Sequence, residues 1–346
     1  MSSILKKYSK PSGFYFNTKA SFFSENEKLL NIELKKNQLY GEQPLRTHCK
    51  ICRVDLPLAV DFISHGVGYK FCEQCSHLNG AHEDTKGFIE KLYISDDGSE
   101  YSKNYVDENY QKRSQDIYLP KVDFLIESLK GKDYTILDIG CGSGYFVNAA
   151  IERNIHARGL DISKSMVSFG NSQIKHSKGK EPLEYVGEAG FYQSIIDSKE
   201  HVISAIGVIE HLREPHQFFE AFQQSEAQIL YYSVPMFSNS VFLEFIHQEV
   251  FPRQLSGGHT HLFLEESIKK MNSIIGVTPI AEWRFGTDVM DLYRIMMNRF
   301  NQVDVSDKFK HFFEEGFKQN IDGLQSVFDQ NHFCSEIHLV GKKIKN

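Results

Sequence analysis

Two closely spaced cysteine pairs stand near the start of the 346-residue chain. Cys49 and Cys52 form one CxxC pair, and Cys72 and Cys75 form the other. Each pair places two thiolates on one turn, and a hairpin between the pairs would bring all four sulfurs together, as tetrahedral zinc requires. Because a closed site of four cysteines has no open coordination position, we expect a structural rather than a catalytic zinc ion.

Two alternatives to a four-cysteine zinc site stay open. His48 and His77 flank the pairs and could each replace one cysteine ligand. Four unrelated buried cysteines would bind no metal, although the paired spacing would then be a coincidence.

Residues 136–146 have the pattern of a buried strand, a glycine-rich turn and the start of a helix. Gly140, Gly142 and Gly144 permit a tight turn and close approach of a ligand, because no Cβ intervenes. Their G-x-G-x-G spacing differs from the G-x-G-x-x-G of dinucleotide-binding sites. Asp138 precedes the turn, where its charge fits poorly with a pyrophosphate but suits a ligand that carries an amine and a sulfonium.

Three further acidic residues follow or end predicted strands. Asp161 lies at the end of the second strand, and an acidic residue there can bind both hydroxyls of a ribose. Glu188 follows the third strand, and Glu210 stands in the segment V-I-E-H-L-R-E-P after the fourth.

These four motifs, in this order, resemble those of class I S-adenosylmethionine-dependent methyltransferases. The resemblance covers about residues 119–285 and the final strand near residues 333–342. It implies an α/β fold with a Rossmann-like seven-stranded sheet, whose last strand is antiparallel, and S-adenosylmethionine as the cofactor, with adenine near Glu188 and Ala189. The expected cofactor contacts in this part of the chain are Asp138, Gly140, Cys141, Gly142, Gly144, Asp161, Ile162, Glu188 and Ala189.

The elements that must position these residues alternate between short apolar strands and helical segments, as in a doubly wound sheet. Strands are predicted over residues 135–139, 157–162, 184–186, 201–208, 228–234, 278–283 and 334–340. The predicted domains are an N-terminal extension (1–45), a zinc-binding module (46–80), a Tyr-rich linker (81–118) and the methyltransferase domain (119–346), which carries a helical insertion at about 288–330.

This order of segments resembles bacterial methyltransferases of sugars, including nucleotide-linked sugars and surface glycans. The Tyr-rich stretch 100–110 resembles a segment that can cap the cofactor in such enzymes, so Tyr110 joins the expected cofactor contacts. The resemblance implies a small-molecule, carbohydrate-type acceptor.

A hydroxyl acceptor benefits from a general base, and histidine titrates near neutral pH. His211 and Glu210 follow the fourth predicted strand, whereas His259 and His261 lie in the long loop after the fifth. We expect one of the three histidines to be the base, with Glu210 and Tyr110 as the next candidates. The Glu210-His211 pair could instead be partly architectural, and His259 with His261 could bind a metal.

The chain has a formal net charge of −6 and a pI near 6.2, without a basic stripe, which argues against nucleic acid as the main partner. It has neither a secretory signal nor an apolar run of ~18 residues, so we expect a cytoplasmic protein without a membrane span. The long insertions are expected to shape the active site or a contact between two copies of the chain.

Two rival functions remain. The first is a methyltransferase that acts on RNA or protein. The second is a non-catalytic scaffold that binds S-adenosylmethionine, although a scaffold would not need the glycine loop together with Asp138 and Asp161.

Overall fold

The computed structural model describes residues 4–13, 16, 21–93, 110–174, 181–255 and 259–344, which form two β-sheets with helices around them. The strands are β1 (Leu5–Tyr8), β2 (Phe62–Ser64), β3 (Val67–Phe71), β4 (Leu78–Gly80), β5 (Thr135–Ile139), β6 (His156–Asp161), β7 (Leu183–Tyr185), β8 (Val202–Ile206), β9 (Ile229–Pro235), β10 (His261–Leu262), β11 (Val277–Phe285) and β12 (Glu336–Lys343).

The helices in the described residues are α1 (Ser21–Ser24), α2 (Asn26–Gly41), α3 (Lys86–Tyr93), α4 (Tyr110–Arg113), α5 (Leu119–Leu129), α6 (Tyr145–Glu152), α7 (Lys164–Gln173), α8 (Glu188–Ile196), α9 (Pro215–Gln224), α10 (Asn239–Ile246), α11 (Glu265–Ile275), α12 (Asp288–Phe300) and α13 (Asp307–Gln330). A π-helical turn, Ser114–Tyr118, joins α4 to α5, and a 3₁₀ turn, Ile209–His211, follows β8. None of these helices combines the length and the apolar character needed to cross a bilayer.

The large sheet has the strand order β1-β11-β12-β9-β8-β5-β6-β7. Strands β5 to β9 are parallel to one another, and β12 runs antiparallel to both of its neighbours. The predicted seven-stranded sheet with an antiparallel last strand is therefore confirmed. The structure adds an eighth strand, β1, which comes from the N-terminal extension and pairs in parallel with β11.

The centre of the large sheet is apolar because helices cover both of its faces. In β5, Ile136, Leu137 and Ile139 are fully buried, and they divide between two apolar clusters on opposite faces. The polar exception is Asp138, whose position is discussed below. Burial of these side chains holds β5 in the sheet, so functional residues are expected at its carboxyl end.

The small sheet has the order β10-β4-β3-β2 and is antiparallel. Strands β2, β3 and β4 come from the cysteine-rich segment, as the predicted hairpin requires. Strand β10 instead comes from the loop after β9, in the second half of the chain, and pairs with β4 through His261 opposite Asn79. The cysteine-rich segment and the methyltransferase region therefore share one sheet.

The predicted helical insertion is present as α12 and α13. The two helices pack around Val289, Met290, Tyr293 and Ile321, and Phe16 and Phe23 of the N-terminal extension cover the same cluster. The extension thus contributes both a strand and aromatic packing to the methyltransferase region.

Candidate active site

The carboxyl ends of β5 to β9 lie at one edge of the large sheet, because these strands are parallel. Ligands of open α/β sheets bind outside this edge. Since β12 is antiparallel, its first residue, Glu336, pairs with Pro235 at the end of β9 and lies at the same edge. The motifs identified in the sequence follow these strand ends, so this edge is the candidate active site.

The glycine-rich turn after β5 has a backbone conformation that side chains rarely adopt. The φ angles of Gly140 and Gly142 are 62° and 53°. A Cβ at residue 140 would lie 2.7 Å from a methyl group of Val208, whereas the nearest atom to a Cβ at residue 142 is the flexible end of Met166, at 2.9 Å. Gly144 directly precedes α6, so the turn leads into a helix N-terminus, where N–H groups point outward. A ligand can therefore approach this backbone closely.

Asp138 is a buried carboxyl group in β5, close to the turn. Its Oδ1 accepts a hydrogen bond of 2.6 Å from Ser204 Oγ, and burial raises its pKa to about 7. A cationic ligand beside it would favour the ionised form. In the turn itself, Ser143 Oγ is buried and has no hydrogen-bond partner among the described residues. Both groups suit a polar ligand that carries positive charge.

Asp161 ends β6, the strand next to β5. Its Oδ2 accepts a hydrogen bond of 2.7 Å from the Gly142 N–H, and its Oδ1 accepts one of 2.7 Å from the Ser163 N–H. The carboxylate therefore connects the turn to the end of β6. Each of its oxygens can still accept a hydrogen bond from a ribose hydroxyl. The side chain of the next residue, Ile162, is 54% exposed and offers apolar surface beside this carboxylate.

Glu188 and Ala189 begin α8 after β7. The Glu188 carboxylate is exposed and forms an ion pair of 3.3 Å with Lys86 of α3. The linker segment is therefore in contact with this part of the edge. An exposed pair of this kind contributes little to stability.

Tyr110 and Cys141 differ in how they meet the turn. The Tyr110 hydroxyl donates a hydrogen bond of 2.8 Å to the Ser143 carbonyl, and its ring stacks on Tyr145 with the centroids 4.5 Å apart. Burial raises the pKa of the Cys141 thiol well above its usual value, and the side chain packs against Gly159. Tyr110 therefore orders the turn, and Cys141 fills space. The rest of the Tyr-rich stretch, residues 100–109, lies outside the described residues.

Glu210, His211 and His259 come together after β8. The Glu210 side chain is 6% exposed, and burial raises its pKa to about 8. Its Oε1 lies 4.0 Å from His211 Nε2, and its Oε2 has no hydrogen-bond partner among the described residues. The His211 ring is 26% exposed, and its centroid lies 5.3 Å from that of His259. Burial lowers the pKa of His259 to about 4.

His261 occupies a different environment from these three residues. It is fully buried in β10, with Nε2 at 3.0 Å from the Glu210 carbonyl oxygen and Nδ1 at 2.8 Å from His77 Nε2. Burial lowers its pKa well below the usual value, so the ring is neutral at neutral pH. Both ring nitrogens therefore already have partners within the protein.

A second group of ionisable residues lies at this edge and was not predicted. Burial alone would raise the pKa of Glu336, but Lys121 Nζ at 3.8 Å and His338 Nε2 at 2.7 Å bring it down to about 2. Lys10, which follows β1, lies near Lys121 and Glu336, and burial lowers its pKa to about 7. The spacing of Glu336 and His338 in a strand was an available signal, because alternate residues share a face.

The four cysteines converge as their spacing predicts. Every pair of their sulfurs lies within 4.8 Å, with 3.4 Å between Cys52 and Cys72 and 3.6 Å between Cys49 and Cys75. Among the described residues, the neighbouring histidines do not join this group. His77 contacts His261, and His48 points to Asp55 at 3.0 Å.

Residues 137–225 match the family model described as a methyltransferase domain. This range begins in β5 and ends just after α9, so it contains the glycine turn, Asp161, Glu188 and Glu210. No sequence among curated proteins matches the chain.

Several solved structures are similar to this chain. Magnesium protoporphyrin IX methyltransferase from Synechocystis PCC 6803, with bound SAH, has a TM-score of 0.48 and 12% identity over 75% of this chain and 100% of its own. The plantazolicin methyltransferase BamL has a TM-score of 0.44 and 15% identity over 74% and 94%. A SAM-dependent methyltransferase from Archaeoglobus fulgidus has a TM-score of 0.41 and 17% identity over 68% and 100%.

The family match covers the glycine turn and strands β5 to β8 of the candidate site, whereas β9, β12 and His259 lie beyond it. The acidic residues that resemble methyltransferase motifs lie at the edge outside which open α/β sheets bind their ligands. Residues 137–225 thus carry a methyltransferase domain, and the protein is an S-adenosylmethionine-dependent methyltransferase.

Proposed function

We propose that the protein methylates a hydroxyl group of a small carbohydrate-type acceptor, with His211 as the general base and Glu210 as its carboxylate partner. The observation that carries this proposal is the buried Glu210 carboxyl, which lies beside the partly exposed His211 ring at the end of β8. The resemblance to sugar methyltransferases supplies the acceptor class. A cytoplasmic location and pairing of two copies stay predictions from the sequence.

The residues at the strand ends fit the cofactor. We propose that Asp138 faces its cationic end, that Asp161 accepts hydrogen bonds from the ribose, and that Glu188 and Ala189 lie near the adenine. The turn from Gly140 to Gly144 offers backbone without a Cβ in the way, and Tyr110 holds that turn from outside. When bound, the cofactor supplies a methyl carbon on a sulfonium, which leaves as a neutral thioether with the electron pair of the broken bond.

Alignment of the acceptor supplies much of the rate of such a displacement. The remaining task is the hydroxyl proton, which His211 takes as the acceptor oxygen forms the new C–O bond. The ionised Glu210 carboxylate stabilises the protonated imidazole 4.0 Å away. His259, with its lowered pKa, is the weaker base, and His261 has both ring nitrogens occupied.

We also propose that Cys49, Cys52, Cys72 and Cys75 bind one structural Zn²⁺. The support is the chemistry of the donors: four thiols within 4.8 Å of one another suit tetrahedral zinc. Asn79 Nδ2 lies 3.7 Å from Cys49 Sγ and donates to it, a contact from outside the ligand set that stabilises a thiolate.

The acceptor class is tested by offering purified protein and S-adenosylmethionine to sugar nucleotides, glycans, RNA and protein. We expect methyl transfer to a sugar hydroxyl. Methylation of RNA or protein, with no transfer to any sugar or glycan, would contradict the acceptor class and leave the enzyme class intact.

Asp161→Ala is expected to weaken S-adenosylmethionine binding by about 1.5–3 kcal/mol, the usual value of hydrogen bonds to a charged group. Titration calorimetry measures this change. The control is Glu184→Ala, which removes an exposed carboxylate from β7 and should leave the affinity unchanged. Equal affinities for wild type and Asp161→Ala would disprove the assignment of Asp161 to the ribose.

The rate of methyl transfer is expected to rise with pH through about 8, because Glu210 stabilises protonated His211 only after losing its own proton. Glu210→Gln should lower the rate and abolish this rise in pre-steady-state measurements. A wild-type pH profile in the variant would rule out the role of Glu210.

Ionisation of Glu210 should also affect the stability of the protein, which should fall over the pH range in which the rate rises. Burial raises the pKa of Glu210 above its unfolded value, so the folded state binds the extra proton. This contribution is fully present below the unfolded pKa and is lost as the pH rises through about 8. Glu210→Gln should therefore lose less stability than wild type over this range in thermal melts.

A further inference from the structure

We propose that the buried histidine pair His77 and His261 positions the Glu210–His211 turn, and so joins the cysteine cluster to the catalytic edge. Both residues act through Glu210 and His211 and are positioning residues. The inference rests on the proposed role of that turn in methyl transfer, although its test does not require an acceptor.

The hydrogen bonds between the two rings and the turn have one consistent direction. A carbonyl oxygen can only accept, so His261 Nε2 donates to the Glu210 carbonyl over 3.0 Å. Because the His261 ring is neutral, its Nδ1 must accept, and His77 Nε2 must donate to it over 2.8 Å. Both rings are fully buried, so loss of either bond would leave a buried polar group without its partner.

The other end of this chain of contacts lies in the cysteine cluster. The His77 carbonyl accepts a hydrogen bond of 2.9 Å from the N–H of Cys72, in the second cysteine pair. The same carbonyl accepts a hydrogen bond of 2.9 Å from Asn79 Nδ2, whose other contact is Cys49 Sγ. The position of the His77 ring therefore follows from the folding of the second cysteine pair.

Two further contacts connect the same parts of the molecule. The Gly80 N–H in β4 donates to the Thr260 carbonyl over 2.7 Å, next to the β4–β10 pairing. His216 Nε2, in the helix that follows the turn, donates to the Ile51 carbonyl over 2.9 Å. The four cysteines, Ile51 and Ile209 also belong to or pack against one apolar cluster. The cysteine cluster and the turn thus share one apolar cluster, and the turn has no side-chain cap of its own.

The test is hydrogen–deuterium exchange with mass spectrometry on the full-length, zinc-loaded protein, read over residues 208–214. The amide groups of His211 and Leu212 close this turn, through bonds of 2.9 Å and 3.2 Å to Val208 and Ile209. His261→Phe and His77→Phe keep a buried ring but remove the donors. We expect exchange of these amides to become about 10-fold faster, because opening of the turn is then less costly.

Conservative variants separate positioning from general packing. His261→Gln and His77→Gln retain an N–H at a similar reach and should restore exchange to within about twofold of wild type. His48→Phe is the matched control, since His48 flanks Cys49 as His77 flanks Cys75 but is exposed. It should leave residues 208–214 unchanged. All variants should retain wild-type zinc content by elemental analysis.

Three results would overturn the inference: unchanged exchange in both Phe variants, equal acceleration in the Phe and Gln variants, or an effect that appears only where zinc is lost. If a Phe variant fails to fold, chelator removal of zinc from wild type gives the same reading, and unchanged exchange at 208–214 then decides against the inference. The proposed function is checked separately by calorimetry of wild type with S-adenosylmethionine. Failure to bind it would contradict the proposed function but not the positioning of the turn by the two histidines.

Discussion

His211→Ala is expected to slow methyl transfer by about 10²–10⁴-fold while S-adenosylmethionine binds with near-native affinity. The loss has this size because a base that accepts the proton in the transition state is removed, whereas the cofactor contacts lie at other strand ends. The measurement is single-turnover transfer to a sugar acceptor, with calorimetry for the cofactor. Single turnover is needed because slow product release would mask a change in the chemical step.

Parallel variants assign the base among the predicted histidines. His259→Ala should have a smaller effect than His211→Ala, since burial already lowers the His259 pKa to about 4. His311→Ala, on the exposed surface of α13, is the control and should leave the rate unchanged. A near-native rate in His211→Ala with a slow rate in His259→Ala would assign the base to His259. Near-native rates in both variants would leave Glu210 as the base or alignment alone as the source of catalysis.

Cys52→Ala is expected to abolish stoichiometric zinc binding and to unfold the small sheet. Metal binding and folding are coupled in such sites, and the apparent binding free energy is about 10–16 kcal/mol in zinc-finger peptides. Most strands of the small sheet are short, since β2 and β4 are three residues long and β10 is two, so backbone pairing alone stabilises the sheet weakly. Elemental analysis should give one zinc per chain for wild type and much less for the variant, with a lower thermal midpoint.

The matched control for this prediction is Cys334→Ala, because Cys334 is a buried cysteine outside the cluster. It should retain one zinc and show only the modest destabilisation that a small cavity causes. Zinc-free wild-type protein with full stability would contradict the site. So would a disulfide between any two of the four cysteines, for example Cys52–Cys72 or Cys49–Cys75, whose sulfurs lie 3.4 Å and 3.6 Å apart.

Local patterns in the sequence predicted the convergence of the cysteines and, through their resemblance to class I methyltransferases, seven of the eight strands of the large sheet. Each depends on short segments: an apolar strand with a glycine turn at residues 135–144, or two thiols on one turn at Cys49 and Cys52. Because parallel strands have their carboxyl ends at the same edge of a sheet, these patterns also place Asp138, Asp161 and Glu210 at one edge.

The tertiary structure decided what depends on contacts between distant segments. By sequence alone, His211 and His261 have similar standing as bases, but pairing of β10 with β4 buries His261 between His77 and the Glu210 carbonyl. In the same way, β1 pairs with β11 as the outermost strand of the large sheet. This pairing brings Lys10 near Glu336, a residue far away in the sequence. Such contacts leave no local period in the sequence, because burial and hydrogen bonding are set by which segments meet, and only the folded chain determines that.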